Sequence, residues 1–272
     1  MFIYLYDGGK TESLDLNEIS LYLKNIFKKS KVQIRGDFVA HYLSKFPLKE
    51  KEGVIDNLAK QMAEIKVRRI EIKDTVFEPL QGEIEYEKSI ISVPGKKSFG
   101  ILYDGFKLMS LFSNLICEEE SNLGHCHIIF TNQLFGTWDE EDLRYHARVS
   151  VYGFPSIIST SGIVESPAKP REFYLKKQLG VDICTLKEEF KNRFIDYDDS
   201  HMTEVMKGYV LQAIFNHATG NPFCDDKNCR LYNAHWQEEV IQAQLNAKNE
   251  FCEKHQEIIK QLAKEEKLRY SE

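Results

Sequence analysis

Apolar positions in this chain change period several times, and each change marks an element. "FIYLYD", residues 2–7, alternates like a strand; "LNEISLYLKNIFKK", residues 16–29, repeats every three to four residues like an amphipathic helix; "KVQIRGDF", residues 31–38, returns to alternation. The opening therefore predicts strand, helix, strand. A charged helix is expected around Glu52 to Ile65, followed by a strand in "RRIEIKD", residues 68–74. "EPLQGEIEYEKSIISVPGKKS", residues 78–98, is rich in turn formers and reads as an internal boundary or a flap. "FGILYDGFKLMSLFSNLICEEE", residues 99–120, has the apolar content of a buried helix, "HCHIIFT", residues 125–131, that of a core strand, and residues 143–164 that of two strands joined at Gly153–Pro155. Met206, Tyr209, Val210, Ala213, Ile214 and His217 share one helical face. From Asn233 onward there is no Gly or Pro, and Glu, Lys, Gln, Ala and Leu dominate, so helix is expected to the end. The fold class is α/β, a mixed sheet with long core helices and a C-terminal helical segment. One domain over residues 1–272 is expected, with an N-terminal subregion 1–95 and a C-terminal subregion 96–272.

Composition narrows the function. The 272 residues are 42% hydrophobic and 12% aromatic, ample for a core. A net charge of −6 and the lack of a basic stripe argue against nucleic-acid binding. No apolar run approaches the roughly 18 residues that would span a bilayer. Six cysteines scattered from Cys117 to Cys252 do not make a secreted disulfide framework, so a reducing cytoplasm is the expected location. Oligomeric state is not legible.

The stretch that carries chemistry is "AIFNHATGNPFCDDKNC", Ala213–Cys229. Metzincin peptidases carry H-E-x-x-H-x-x-G-x-x-H, two histidines and a general-base glutamate on one helical face, a turning glycine, and a third histidine. Registered on Gly220, this chain keeps His217 and Gly220 but has Ala213, Ile214 and Phe223 where the first histidine, the glutamate and the third histidine belong. Phe223 is followed by C-x4-C-x-L and later by C-x-x-H, where archaemetzincins have C-x4-C-x-M and C-x-x-C. From this helix onward the chain resembles an archaemetzincin, or a divergent sister family of metallopeptidases, with a degenerate catalytic motif.

That resemblance implies one structural zinc held by Cys224, Cys229, Cys252 and His255; the competing reading is two loop cysteines and a helix bearing an unrelated Cys and His. If a helix ran straight from Asn233, Cys252 would stand roughly 28 Å from its start, too far to share an ion. An extended course from Arg230 to His235 would let the following helix return. His217 reads first as a buried core histidine. The second reading is a ligand in a rebuilt hydrolase centre with His235 and one of Glu165, Glu238 or His146. "RYHAR" places Arg144, His146 and Arg148 on one face of a strand, either a site for an anion or an ordinary solvated face. "DYDDSHMTE" reads as a cap for the motif helix, with a cation site as the alternative. The expected function is a non-proteolytic binding or regulatory module, a zinc-bearing pseudoenzyme. Its partner would be an extended peptide or protein laid along "HIIFTNQLF" or the strand through Val151. The alternative is a metal-dependent hydrolase.

Overall fold

The computed structural model describes residues 1–9, 11–73, 77–96, 98 and 100–268, with side chains to residue 262. The elements in chain order are β1 (Phe2–Gly8), α1 (Leu16–Ile26), β2 (Lys31–Arg35), α2 (Phe38–Leu43), α3 (Leu48–Glu64), α4 (Gln81–Ile91), β3 (Leu102–Asp104), α5 (Gly105–Ser113), β4 (His125–Thr131), β5 (Leu134–Asp139), β6 (Arg144–Arg148), β7 (Ser150–Val151), β8 (Ser156–Ser159), α6 (Gly162–Glu165), α7 (Arg171–Gln178), α8 (Ile183–Glu189), α9 (Met202–Thr219), α10 (Gln237–Ile241) and α11 (Glu253–Leu268). They form two compact units: Met1–Thr11 with Lys31–Gly162, and Glu12–Ser30 with Ile163–Glu272.

The first unit holds the strands. A five-stranded sheet has the order β2-β1-β4-β8-β7, parallel except for the antiparallel edge strand β7, and a three-stranded sheet has the order β3-β5-β6. The α/β mixed-sheet expectation is thus met. β1 is buried on both faces, as a central parallel strand must be, and Tyr4, Tyr6, Ile129 and Ile157 share a core with Phe38, Leu58, Leu111 and Phe112.

Four local expectations are corrected. Residues 81–91 form helix α4, capped by Glu83, whose carboxylate accepts the Leu80 amide at 2.9 Å; turn formers within it are overridden by packing of α4 on α3. "RRIEIKD" forms no strand over its described residues; Asp74 lies outside them. The apolar run at 99–120 begins as strand β3 and becomes helix only at Gly105, where Asp104 caps α5; Phe99 lies outside the described residues. The helix expected from Asn233 is interrupted after α10 by a π-helical turn, Gln242–Asn246, and a non-helical stretch up to Cys252.

A closed ring of hydrogen bonds locks β1, β2 and β4 to the turn at Glu118–Glu120. The Glu120 carbonyl can only accept, so His127 carries its proton on Nε2 (3.1 Å), its Nδ1 accepts from the Tyr6 hydroxyl (3.0 Å), and the Tyr6 oxygen accepts from Arg35 Nη1 (2.8 Å). Arg35 closes the ring by forking onto the Glu120 carboxylate at 2.8 and 2.5 Å. Burial lowers the His127 pKa to about 4, while the hydrogen bond from Arg35 holds Glu120 near 2.

The second unit is helical. α1 packs along α9, with the Asp15 amide donating to Thr203 Oγ1 at 2.8 Å and Lys207 reaching Glu18 at 2.7 Å. α9 is buried from Met202 to Phe215 except at Glu204, with apolar side chains on most of its circumference. Gly208 lets the π-helical turn approach, since a Cβ there would collide with the Gln244 amide.

Because His127 titrates near 6.5 in the unfolded chain and near 4 in the fold, the unfolded state binds more protons between those values. Stability should therefore fall as pH drops from about 6.5 to 4, by up to about 3 kcal/mol. His127→Gln keeps a donor and an acceptor without the titration, so its unfolding free energy should be flatter than wild type over that window; parallel pH profiles would contradict this role for His127.

Candidate metal centre

Two short segments supply the donors. Cys224 and Cys229 lie on a loop that folds back on itself: the Cys224 amide donates to the Leu231 carbonyl at 2.9 Å, Cys229 to Asp226 at 2.9 Å, and Tyr232 to Cys229 at 2.8 Å. Cys252 immediately precedes α11 and His255 is three residues on, which places both on one side of the helix's first turn. The segments meet through Arg230, whose amide donates to the Glu250 carbonyl at 3.0 Å. That contact is why the C-terminal helix cannot run straight from Asn233. The chain turns at residues 247–252 and brings Cys252 back.

The four donor atoms of Cys224, Cys229, Cys252 and His255 all lie within 4.8 Å of one another. Zinc bonds of about 2.3 Å to sulfur and 2.0 Å to nitrogen imply tetrahedral edges of roughly 3.8 Å between sulfurs and 3.5 Å between sulfur and nitrogen. The Cys224 and Cys252 sulfurs are 3.8 Å apart, Cys229 Sγ is 3.7 Å from His255 Nδ1, and Cys252 Sγ is 3.1 Å from it. All six cysteines are free thiols. The Asp226 amide donates to Cys224 Sγ at 3.4 Å, and the amides of Cys252 and Leu231 donate to Cys229 Sγ, the hydrogen bonds that orient and stabilise thiolate ligands. Burial raises the Cys229 thiol to about 12 and raises Cys224, while burial, aided by Lys254, lowers His255 and so keeps the imidazole in its ligand form. Buried thiols resist ionising alone; a divalent cation among them reverses that preference. The donor set fits a metal ion, and among the described residues no second group of three or more His, Cys, Asp or Glu side chains does so.

The degenerate motif lies beside it. Gly220 ends α9 in the left-handed conformation, φ 75°, as a helix-terminating glycine should, and its amide donates to the Asn216 carbonyl. Ala213 and Ile214 are fully buried, Leu231 is buried, and Phe223 is 36% exposed. His217 is half-buried rather than the core histidine its apolar stripe suggested, because α9 emerges from the core after Phe215.

Of the other singled-out residues, Glu165, Glu238 and His146 are paired elsewhere. Glu165 accepts from the Tyr197 hydroxyl at 2.8 Å, Glu238 pairs with Arg193 at 2.7 Å, and His235 is exposed, its amide bonded to Glu239 at 3.0 Å. His146 belongs to the first unit and faces Asp142 at 2.8 Å; Arg148, on the same strand, donates to Thr137. Asp199 organises the start of α9, accepting from the His201 amide and meeting His201 Nδ1 at 2.8 Å. Sequence reasoning misses the cleft of about 820 Å³ there, lined by His201, Glu204, Arg230 and Glu250. Its walls come from three separate stretches, so local spacing cannot reveal it.

Removing one donor leaves buried sulfurs without a shared partner. Cys229→Ser, or prolonged chelation, should lower the melting temperature and open residues 224–256 to proteolysis, since metal binding at such a site contributes directly to folding. Unchanged melting and protease resistance would show that these residues need no ion.

No curated protein matches the chain. The crystal structure of a zinc-dependent peptidase from Methanocorpusculum labreanum (strain Z) is similar at 13% identity and a TM-score of 0.41, covering 95% of this chain and 100% of that one. A family model matches residues 1–262, and the chain thus belongs to the family described as "Probable metallopeptidase family (DUF6775)".

Proposed function

We propose that this chain is an archaemetzincin-like protein in which the Cys224, Cys229, Cys252 and His255 cluster holds one structural zinc, and that it acts as a non-proteolytic binding module. The observation that carries this reading is the division of labour between the two neighbouring segments. The cluster offers four protein donors, which fills a tetrahedral zinc and leaves no position for an attacking water. α9 offers a buried alanine and isoleucine where a catalytic ligand and a general base would stand. A rebuilt centre on His217, His235, Glu165, Glu238 or His146 is the second reading. It is disfavoured because Glu165 and Glu238 would first have to give up Tyr197 and Arg193.

The partner class we favour is an extended peptide. β4 lies between β1 and β8, so "HIIFT" has no free edge, contrary to the expectation for "HIIFTNQLF". That role passes to β7, through Val151, which stands at the sheet's edge, where a peptide can add as a further strand. Titration with extended peptides should shift the Ser150 and Val151 amides; amides that stay still at millimolar peptide would remove this partner class.

Purified protein incubated with casein and quenched fluorescent peptides should cleave neither above background. Loss of a general base alone costs about 10²- to 10⁴-fold, and loss of metal-activated water costs more. Restoring the motif with Ala213→His, Ile214→Glu and Phe223→His should lower stability, because the changes at Ala213 and Ile214 put polar groups into fully buried sites at about 1 to 3 kcal/mol each if unpaired. Chelator-sensitive cleavage abolished by His217→Ala would instead establish the rebuilt hydrolase.

A further inference from the structure

The four residues of the cluster differ in how open they are. Cys224, Cys229 and His255 are buried, and Cys252, immediately before α11, is half-buried. An oxidant in solution therefore meets Cys252 first. Its sulfur stands 3.8 Å from Cys224 Sγ, and the two residues lie 28 positions apart in the chain. A disulfide bond is about 2.05 Å long, so the pair needs to close by less than about 2 Å to join. Cys229 is the poorer partner for that reaction. It is wholly buried, and its sulfur accepts from the Cys252 and Leu231 amides, which hold it in place.

A thiolate is both the form that binds a metal and the form that oxidants attack. We propose that the cluster is a redox switch: hydrogen peroxide converts Cys252 and Cys224 into a disulfide, and the two segments are then joined covalently instead of through zinc. The inference rests on the structural zinc proposed above. In the first step the Cys252 thiolate attacks the peroxide; an S–O bond forms, the O–O bond breaks and hydroxide leaves, giving a sulfenic acid. In the second the Cys224 thiolate attacks Cys252 Sγ; the S–S bond forms, the S–O bond breaks and a second hydroxide leaves. The two sulfurs together lose two electrons, the peroxide gains them, and both hydroxides take protons from the solvent.

The consequence is a change in donor count. Cys229 and His255 alone remain where a structural zinc takes four ligands, so the site no longer retains the metal. The new bond closes the same loop that the metal closed, so the two segments stay together. Oxidation thus differs from chelation, which removes the metal and leaves the loop open.

The test uses the full chain in its reduced, zinc-loaded form, with Cys117→Ser and Cys184→Ser so that buried Cys126 is the one thiol left outside the cluster. Zinc is measured first. Hydrogen peroxide is then added in steps, released metal is followed with a chromogenic chelator, and the cysteines are alkylated and mapped by mass spectrometry. One zinc should be released for each disulfide formed, the bond should join Cys224 to Cys252, and dithiothreitol should restore zinc binding. Limited proteolysis should find residues 224–256 better protected in the oxidised chain than in the chelated, reduced chain. If the double variant does not fold, the wild-type chain gives the same readings, because mapping identifies each cysteine. Zinc retained throughout, a disulfide that includes Cys229, Cys252 ending as a sulfinic acid without a disulfide, or equal cleavage of the oxidised and chelated chains would overturn the switch and leave the structural zinc standing. A chain that carries no zinc before treatment would overturn both.

Discussion

The arrangement of the second unit's C-terminal third depends on holding two segments, Cys224–Cys229 and Cys252–His255, against each other. Closing the intervening loop costs conformational entropy, and bringing three sulfurs and an imidazole within 4.8 Å buries groups that gain little from one another without an ion. Arg230 supplies the covalent neighbour through which this is done. Its amide reaches Glu250, its carbonyl accepts from the Gln244 side chain at 2.9 Å, and its guanidinium bonds to Glu204 on α9 at 2.6 Å. One residue next to a ligand thus ties the loop to the long helix and to the stretch that leads into Cys252. His255 adds a ring contact to Phe215, so the cluster is also packed on α9.

This placement sets the four-donor cluster beside a helix that is apolar at Ala213 and Ile214. The fold of the region asks α9 only for a buried cylinder and a left-handed glycine at its end, and Ala213, Ile214 and Gly220 meet both demands. Thiolate donors closed on all sides serve packing, whereas hydrolysis needs an open position and a base. The two requirements fall on different residues, and the proposed function needs only the first.

The sequence displayed what is local. The C-x4-C and C-x-x-H spacings, the turning Gly220, the alternation of β1 and the apolar face of α9 all correspond to structure, because each is fixed by residues within one or two turns of one another. What was hidden is set over distance. The break at residues 247–252 has neither Gly nor Pro to announce it and coincides with the Arg230–Glu250 contact. Helix α4 is selected by packing against α3 despite its turn-forming residues, and the division into two units excises residues 12–30 from the first without any change in local composition. Glu165 and Glu238 looked available because their partners, Tyr197 and Arg193, cannot be read as partners from spacing alone.

We propose a closed, four-ligand zinc at Cys224, Cys229, Cys252 and His255. X-ray absorption at the zinc edge, with elemental analysis of the same sample, tests it most directly. The expected result is one zinc per chain with three sulfur neighbours at about 2.3 Å and one nitrogen at about 2.0 Å. A zinc surrounded by nitrogen and oxygen alone, or a chain that purifies folded without metal, would contradict it.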